Sequence, residues 1–183
     1  MNIKYFFIYT SATLFFLGAP LAHAQTSGLI GAWGFDENQG SVAADAAIGN
    51  AGSILGASWT AGKYGASLSF DGIDDSVNVG IPAALNDAEP YTIMAWIYPT
   101  GATGGYIISK RTDGESGYWK LGSSLANGLD WFKDYSSTNV GRGSNDNVLT
   151  LNVWNHVAVT WNGSAQSSGA KIYVNGTEVG YKN

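Results

Sequence analysis

The sequence predicts an all-β protein, an antiparallel β-sandwich of the jelly-roll type, and three observations carry that expectation. Apolar residues recur at every second position in short runs, as at Val157, Val159 and Trp161, which is the period of a strand with one face in a core. Asn175-Gly176 separates two strand signals where a two-residue hairpin turn needs positive φ at both central positions. The composition holds 25 Gly and 13% aromatic residues against only 13% charged, suited to short strands and turns around large side chains.

Residues 1–24 are expected to be a signal peptide rather than part of the fold. Lys4 gives a basic start, residues 6–17 are mostly apolar, and Ala22-His23-Ala24 has the small-residue spacing of a cleavage site before Gln25. That apolar run is shorter than the roughly 20 residues needed to span a bilayer. The expected location is therefore extracellular or periplasmic, with no membrane insertion once the leader is removed.

The strands then follow in order. Residues 29–35 come first, with Leu29, Trp33 and Phe35 on one side, and residues 43–48 have room for one helical turn at most before Gly49-Asn50. Leu68 and Phe70 alternate with Ser67 and Ser69, and beyond Asp71-Gly72, Val77 and Val79 alternate with Ser76 and Asn78. Residues 91–98 are apolar on both faces, which predicts a central strand covered on each side. Residues 106–110 and 118–121 are strands joined through the turn-rich stretch 112–117, residues 129–132 are a weaker strand, and 135–147 read as a polar loop. Residues 154–161 and 171–174 complete the set. Nothing marks a linker, so residues 25–183 are expected to form one domain.

With the leader gone, 183 less 24 leaves 159 residues, enough for a single core, and 8 basic against 14 acidic side chains. An acidic surface without a basic run argues against nucleic acid and anionic membranes. The expected partner is a polysaccharide or glycan, or a protein. There is no cysteine, although export leads to a compartment where disulfides form. Cohesion must come from packing, backbone pairing or a bound ion.

Four segments resemble the LamG-like jelly-roll domains of the concanavalin A-like lectin/glucanase superfamily. They are the opening strand with its Phe-Asp-Glu-x-x-Gly turn over residues 28–40, the Phe-Asp-Gly pair of residues 68–79, the core strands 91–98 and 107–110, and the late strands 154–161 with 172–176. The resemblance implies the concanavalin A-like fold over nearly the whole mature chain. It also implies further strands beyond that last hairpin, so a chain ending at Asn183 is expected to be a fragment with an incomplete sheet.

Catalysis is not expected. Glycosidases of this fold carry Glu-x-Asp-x-x-Glu on one strand, so that paired carboxylates face one groove, and no such run exists here. Asp130 and Asp134 share a strand face and are assigned to a solvated edge. After the leader only His156 remains, which excludes a His-rich zinc site, and its place between Trp154 and Ala158 suits a structural role.

Calcium is the expected ligand among metals, because hard cations gather oxygens from carboxylates and turn carbonyls. Asp36, Asp74 and Asp75, in turns of Asp and Gly, are the candidate metal residues; shaping those turns by side-chain to backbone bonds is the alternative. For a sugar, whose C–H faces stack on rings, the candidate residues are Trp119, Trp131, Tyr135 and Asp130. Trp119 and Trp131 suit core or ligand equally, whereas Trp33, Trp96 and Trp161 are assigned to the core. The function expected is a secreted non-catalytic recognition module, possible leader of a larger protein. The alternatives are an adhesion spacer, which would bury every Trp, or part of a polysaccharide-degrading enzyme, which would show a carboxylate pair in a cleft.

Overall fold

The computed structural model describes residues 1–9, 28–80, 83–85, 90–101, 104–110, 119–134 and 139–182. Period-two alternation becomes strands wherever the sequence shows it, and in several places where it does not. The elements are β1 (Asn2–Tyr9), β2 (Leu29–Trp33), β3 (Val42–Ala43), β4 (Gly52–Leu55), β5 (Ser58–Ala61), β6 (Ala66–Ser69) and β7 (Ser76–Asn78). They continue as β8 (Tyr91–Tyr98), β9 (Gly105–Lys110), β10 (Trp119–Ser124), β11 (Gly128–Asp134), β12 (Asn139–Gly143), β13 (Asn155–Trp161), β14 (Ala170–Val174) and β15 (Thr177–Glu178).

Among the described residues all strand pairings are antiparallel and form three sheets. The large sheet runs β15-β14-β13-β8-β1-β6-β5, with β2 also paired to β1; the second runs β12-β11-β10-β9 and the third β3-β4-β7. The late hairpin forms as expected, with Asn175 at φ 50 and Gly176 at φ 82 turning β14 into β15. In β8 one face is fully buried while Thr92, Met94, Trp96 and Tyr98 on the other are only partly covered. The expectation of a strand equally covered on each side is corrected to that extent.

Rings from both larger sheets hold the layers together. Trp131 of β11 donates its indole N–H to the Tyr91 hydroxyl of β8 at 3.0 Å, and its ring lies 5.7 Å from that of Trp161 in β13. Tyr91 and Trp161 meet at 5.1 Å. Around them Ile93, Ile97, Leu129, Val157, Val159 and Ile172 are sealed from solvent, and Trp33, Phe35 and Leu68 extend one core beneath the remaining strands. A buried indole costs stability unless its N–H finds an acceptor. Trp33 finds the Asn50 carbonyl and Trp161 the Ser164 carbonyl, each at 3.0 Å.

Polar side chains fix the irregular connections. Asp45 accepts backbone N–H bonds from Ala32, Ala47, Ile48 and Asn50, in the stretch that has room for one helical turn at most. Burial opposes its charge, but those four donors outweigh burial and hold the carboxyl below its ordinary pKa. Asn155, fully buried, binds Thr150 through both its amide atoms and also donates to the Val153 carbonyl.

Two regions depart from the sequence reading. Residues 139–143, expected to be loop, form β12; two glycines and a single inward Val140 leave too little alternation to recognise. Asn2–Tyr9, read as the head of a leader outside the fold, is β1 of the large sheet. Aromatic and branched apolar residues satisfy a strand as well as an export signal. Residues 10–27 lie outside the described residues.

Trp131→Ala would remove a fully buried ring and leave the Tyr91 hydroxyl without its donor. It should lower unfolding free energy by about 3–5 kcal/mol in urea denaturation. A loss below about 1 kcal/mol would mean that the contact between the sheets does not depend on this ring.

Candidate functional site

Strand β11 alternates strictly. Leu129, Trp131 and Lys133 point inward, so Asp130, Phe132 and Asp134 stand on the outer face of the four-stranded sheet, partly accessible. The neighbours of Asp130 are Gly122 on β10 and Gly143 on β12, and Gly141 lies beside Phe132. These glycines keep the surface low around the carboxylate and the ring. A Cβ at Gly143 would stand 2.9 Å from Asp130 Oδ1, and one at Gly141 would stand 3.4 Å from Phe132 Cδ2. Tyr106 pairs across Gly122 at the sheet's edge, next to a bulge, and is 60% exposed. Phe132 and Tyr106 escaped the sequence reading, because their value depends on glycines that only become neighbours once the strands pair.

The sequence-predicted sugar-binding residues fare differently. Asp130 takes its place on this face. Trp131 does not: it is core, a correction that follows from sharing its strand parity with Leu129. The backbone of Trp119 is set opposite Lys133; its side chain, like all of Tyr135, lies outside the described residues.

A second aromatic surface lies on the outer face of the large sheet. The rings of Trp96 and His156 meet edge-on at 5.2 Å, and those of Tyr98 and Trp154 at 5.6 Å. The Lys63 ammonium sits 4.3 Å above the Trp96 ring. Trp96, assigned from the sequence to the core, is thus on the outside of β8, opposite in parity to Ile93 and Ile97. Trp33 and Trp161 are core as expected.

The carboxylates assigned to calcium divide into two places. Asp74 and Asp75 join Asp71, each offering an oxygen within 4.8 Å of the others, on the connection between β6 and β7. Asp71, missed in the sequence as part of a turn, accepts from the Ile73 N–H at 2.8 Å, while Asp75 accepts from the Asp71 N–H at 2.8 Å. Asp75 Oδ1 occupies the space that a Cβ at Gly56 would need, and Gly56 has φ +76, so only glycine fits there. Asp36 is exposed near the end of β2 and is not part of this triad. Beside it Glu37 accepts from the Ala44 N–H at 2.7 Å. Three carboxylate oxygens this close are donors of the kind a hard cation takes.

A family model described as the concanavalin A-like lectin/glucanases superfamily, for a laminin G-type domain, matches residues 71–183. Neither the curated proteins nor the solved structures contain a match.

Burial holds the His156 imidazole below its ordinary pKa of 6.5. The unfolded chain therefore takes up the proton at a higher pH than the folded one. Stability should fall as pH drops through about 6.5 towards the depressed native value, and be complete above it. His156→Gln should flatten this part of the curve, read from urea midpoints between about pH 7.5 and 5. Parallel curves for the two proteins would assign the dependence to other groups.

Proposed function

Because this chain belongs to the concanavalin A-like lectin/glucanases superfamily, we propose that it is a secreted, non-catalytic module that binds a glycan on the outer face of β9–β12. Membership supports a carbohydrate- or protein-binding domain. The finer reading rests on one observation: the Asp130 carboxylate and the Phe132 ring share a surface floored by glycine, with exposed Tyr106 at its rim. A saccharide needs an aromatic face for its C–H groups, a carboxylate for its hydroxyls, and backbone low enough for close approach.

The non-catalytic part of the reading has its own support. Four residues along a strand separate Asp130 from Asp134 by roughly 13 Å of backbone, more than the roughly 9.5 Å upper spacing of hydrolytic carboxylate pairs. A spacer with every Trp in the core is disfavoured, since Trp59, Trp96 and Trp154 are only partly buried. Export rests on the leader-like residues 1–24. Calcium belongs to the same reading as a structural ligand of Asp71, Asp74 and Asp75, tying the β6–β7 connection to Gly56.

Retention on polysaccharide-containing native gels should identify a ligand, and Tyr106→Ala or Asp130→Asn should weaken it about tenfold or more with unchanged melting. Equal retention of the wild type and both variants would remove this face from consideration, and loss in Trp96→Ala instead would transfer the role to the other sheet.

Calcium should raise the melting temperature by about 5 °C, and Asp75→Asn should abolish the increment. Identical melting with calcium and with chelator would leave the three carboxylates as turn-shaping groups.

A further inference from the structure

Strand β1 occupies an unusual position for the first residues of a chain. Along one edge it pairs with nearly all of β8, from Asn2 opposite Tyr98 to Tyr9 opposite Thr92. Along the other it pairs first with β6, at Asn2 and Ile3, and then with β2, from Phe6 opposite Trp33 to Tyr9 opposite Leu29. Among the described residues β2 has no other strand partner, and β8 reaches β6 only through β1. Without β1 the large sheet divides into β15-β14-β13-β8, β6-β5 and a β2 that keeps its bridge from Trp33 to Asp45 but no strand partner among the described residues. The slot is therefore lined by backbone donors and acceptors on both edges, which cost free energy when left open.

The same residues carry the leader signal, so the strand that completes the sheet is also the segment that export would remove. We propose that the slot between β8 and β2/β6 is a strand-acceptor site, which Asn2–Tyr9 fills in the chain as synthesised and which an extended segment of a partner polypeptide fills after processing. The seat of β1 specifies that partner. It runs antiparallel to β8 over about eight residues, and its register positions 3, 6 and 8, occupied in this sequence by Ile, Phe and Ile, pair with the buried Ile97, Ala95 and Ile93. One extra residue is accommodated where the register shifts between Lys4 and Phe6. Only the moment of opening rests on the export reading; the acceptor geometry does not.

The test uses the full chain with a protease site inserted within residues 10–27, cut after folding. A fluorescent peptide of residues 1–9 should then exchange saturably with the cut strand. Because both edges of β1 are paired, Phe7→Pro in the peptide deletes a ladder bond and should weaken exchange by about tenfold, and a scrambled peptide should not exchange. Aggregation on loss of the cut strand, prevented by the native peptide alone, would support the same site. Three results would overturn it. The cut strand could leave while the remainder stays monomeric with unchanged melting, peptide binding could ignore proline and scrambling, or a second copy could close the slot as a dimer that excludes the peptide. Amino-terminal sequencing of the exported product tests the export reading separately, and its outcome leaves the exchange result intact.

Discussion

The contact of Tyr91, Trp131 and Trp161 is the interaction on which the architecture depends. It joins the large sheet to the four-stranded one through packed rings and one buried hydrogen bond, in a protein that has no cysteine to crosslink its layers. Rings bury large areas with few rotatable bonds, so three of them can fix the relation between two sheets. That relation in turn decides which parity of β11 is inside. Once Trp131 is inward, Asp130 and Phe132 must face out, and the outer surface they form is a by-product of core packing.

Strong alternation made the fold legible at β6, β8, β13 and β14, and the Asn175-Gly176 hairpin could be read from two residues. What escaped were short or glycine-rich strands, whose pairing is set by neighbours distant in sequence. β12 illustrates this: Gly141 and Gly143 carry no strand preference, yet they are strand residues because β11 offers an edge. The site was less legible than the fold. The sequence places Asp130 beside aromatic residues, but which of Trp131 and Phe132 faces out turns on a shift of one residue. Composition contains no record of that parity. Asp71 was hidden by the ordinary Asp-Gly turn it begins, and its alignment with Asp74 and Asp75 appears only in three dimensions.

The two aromatic surfaces also differ in what supports them. Around Trp96 the ring is flanked by His156 and capped by Lys63, a largely self-satisfied arrangement. Phe132 faces Gly141 on β12, and Asp130 beside it faces Gly122 on β10 and Gly143 on β12, glycines that contribute no side chain. A surface kept low by glycine gives up the strand-forming preference of larger residues there, and β10 at Gly122 and β12 at Gly141 and Gly143 accept that loss. Burial on the opposite face compensates through Leu129, Trp131 and Val140.

The amino group of Met1 donates to the Phe70 carbonyl at 3.1 Å, and the Phe70 N–H returns a bond to the Met1 carbonyl at 3.1 Å. Burial lowers the pKa of this ammonium, while the negative charge of Asp75 opposes that shift. A formyl cap or an affinity tag fused ahead of Met1 would take the charge away from the acidic turn and crowd the end of β6. Recombinant versions of this chain that begin differently would thus differ in counter-charge near Asp75 before any ion is added.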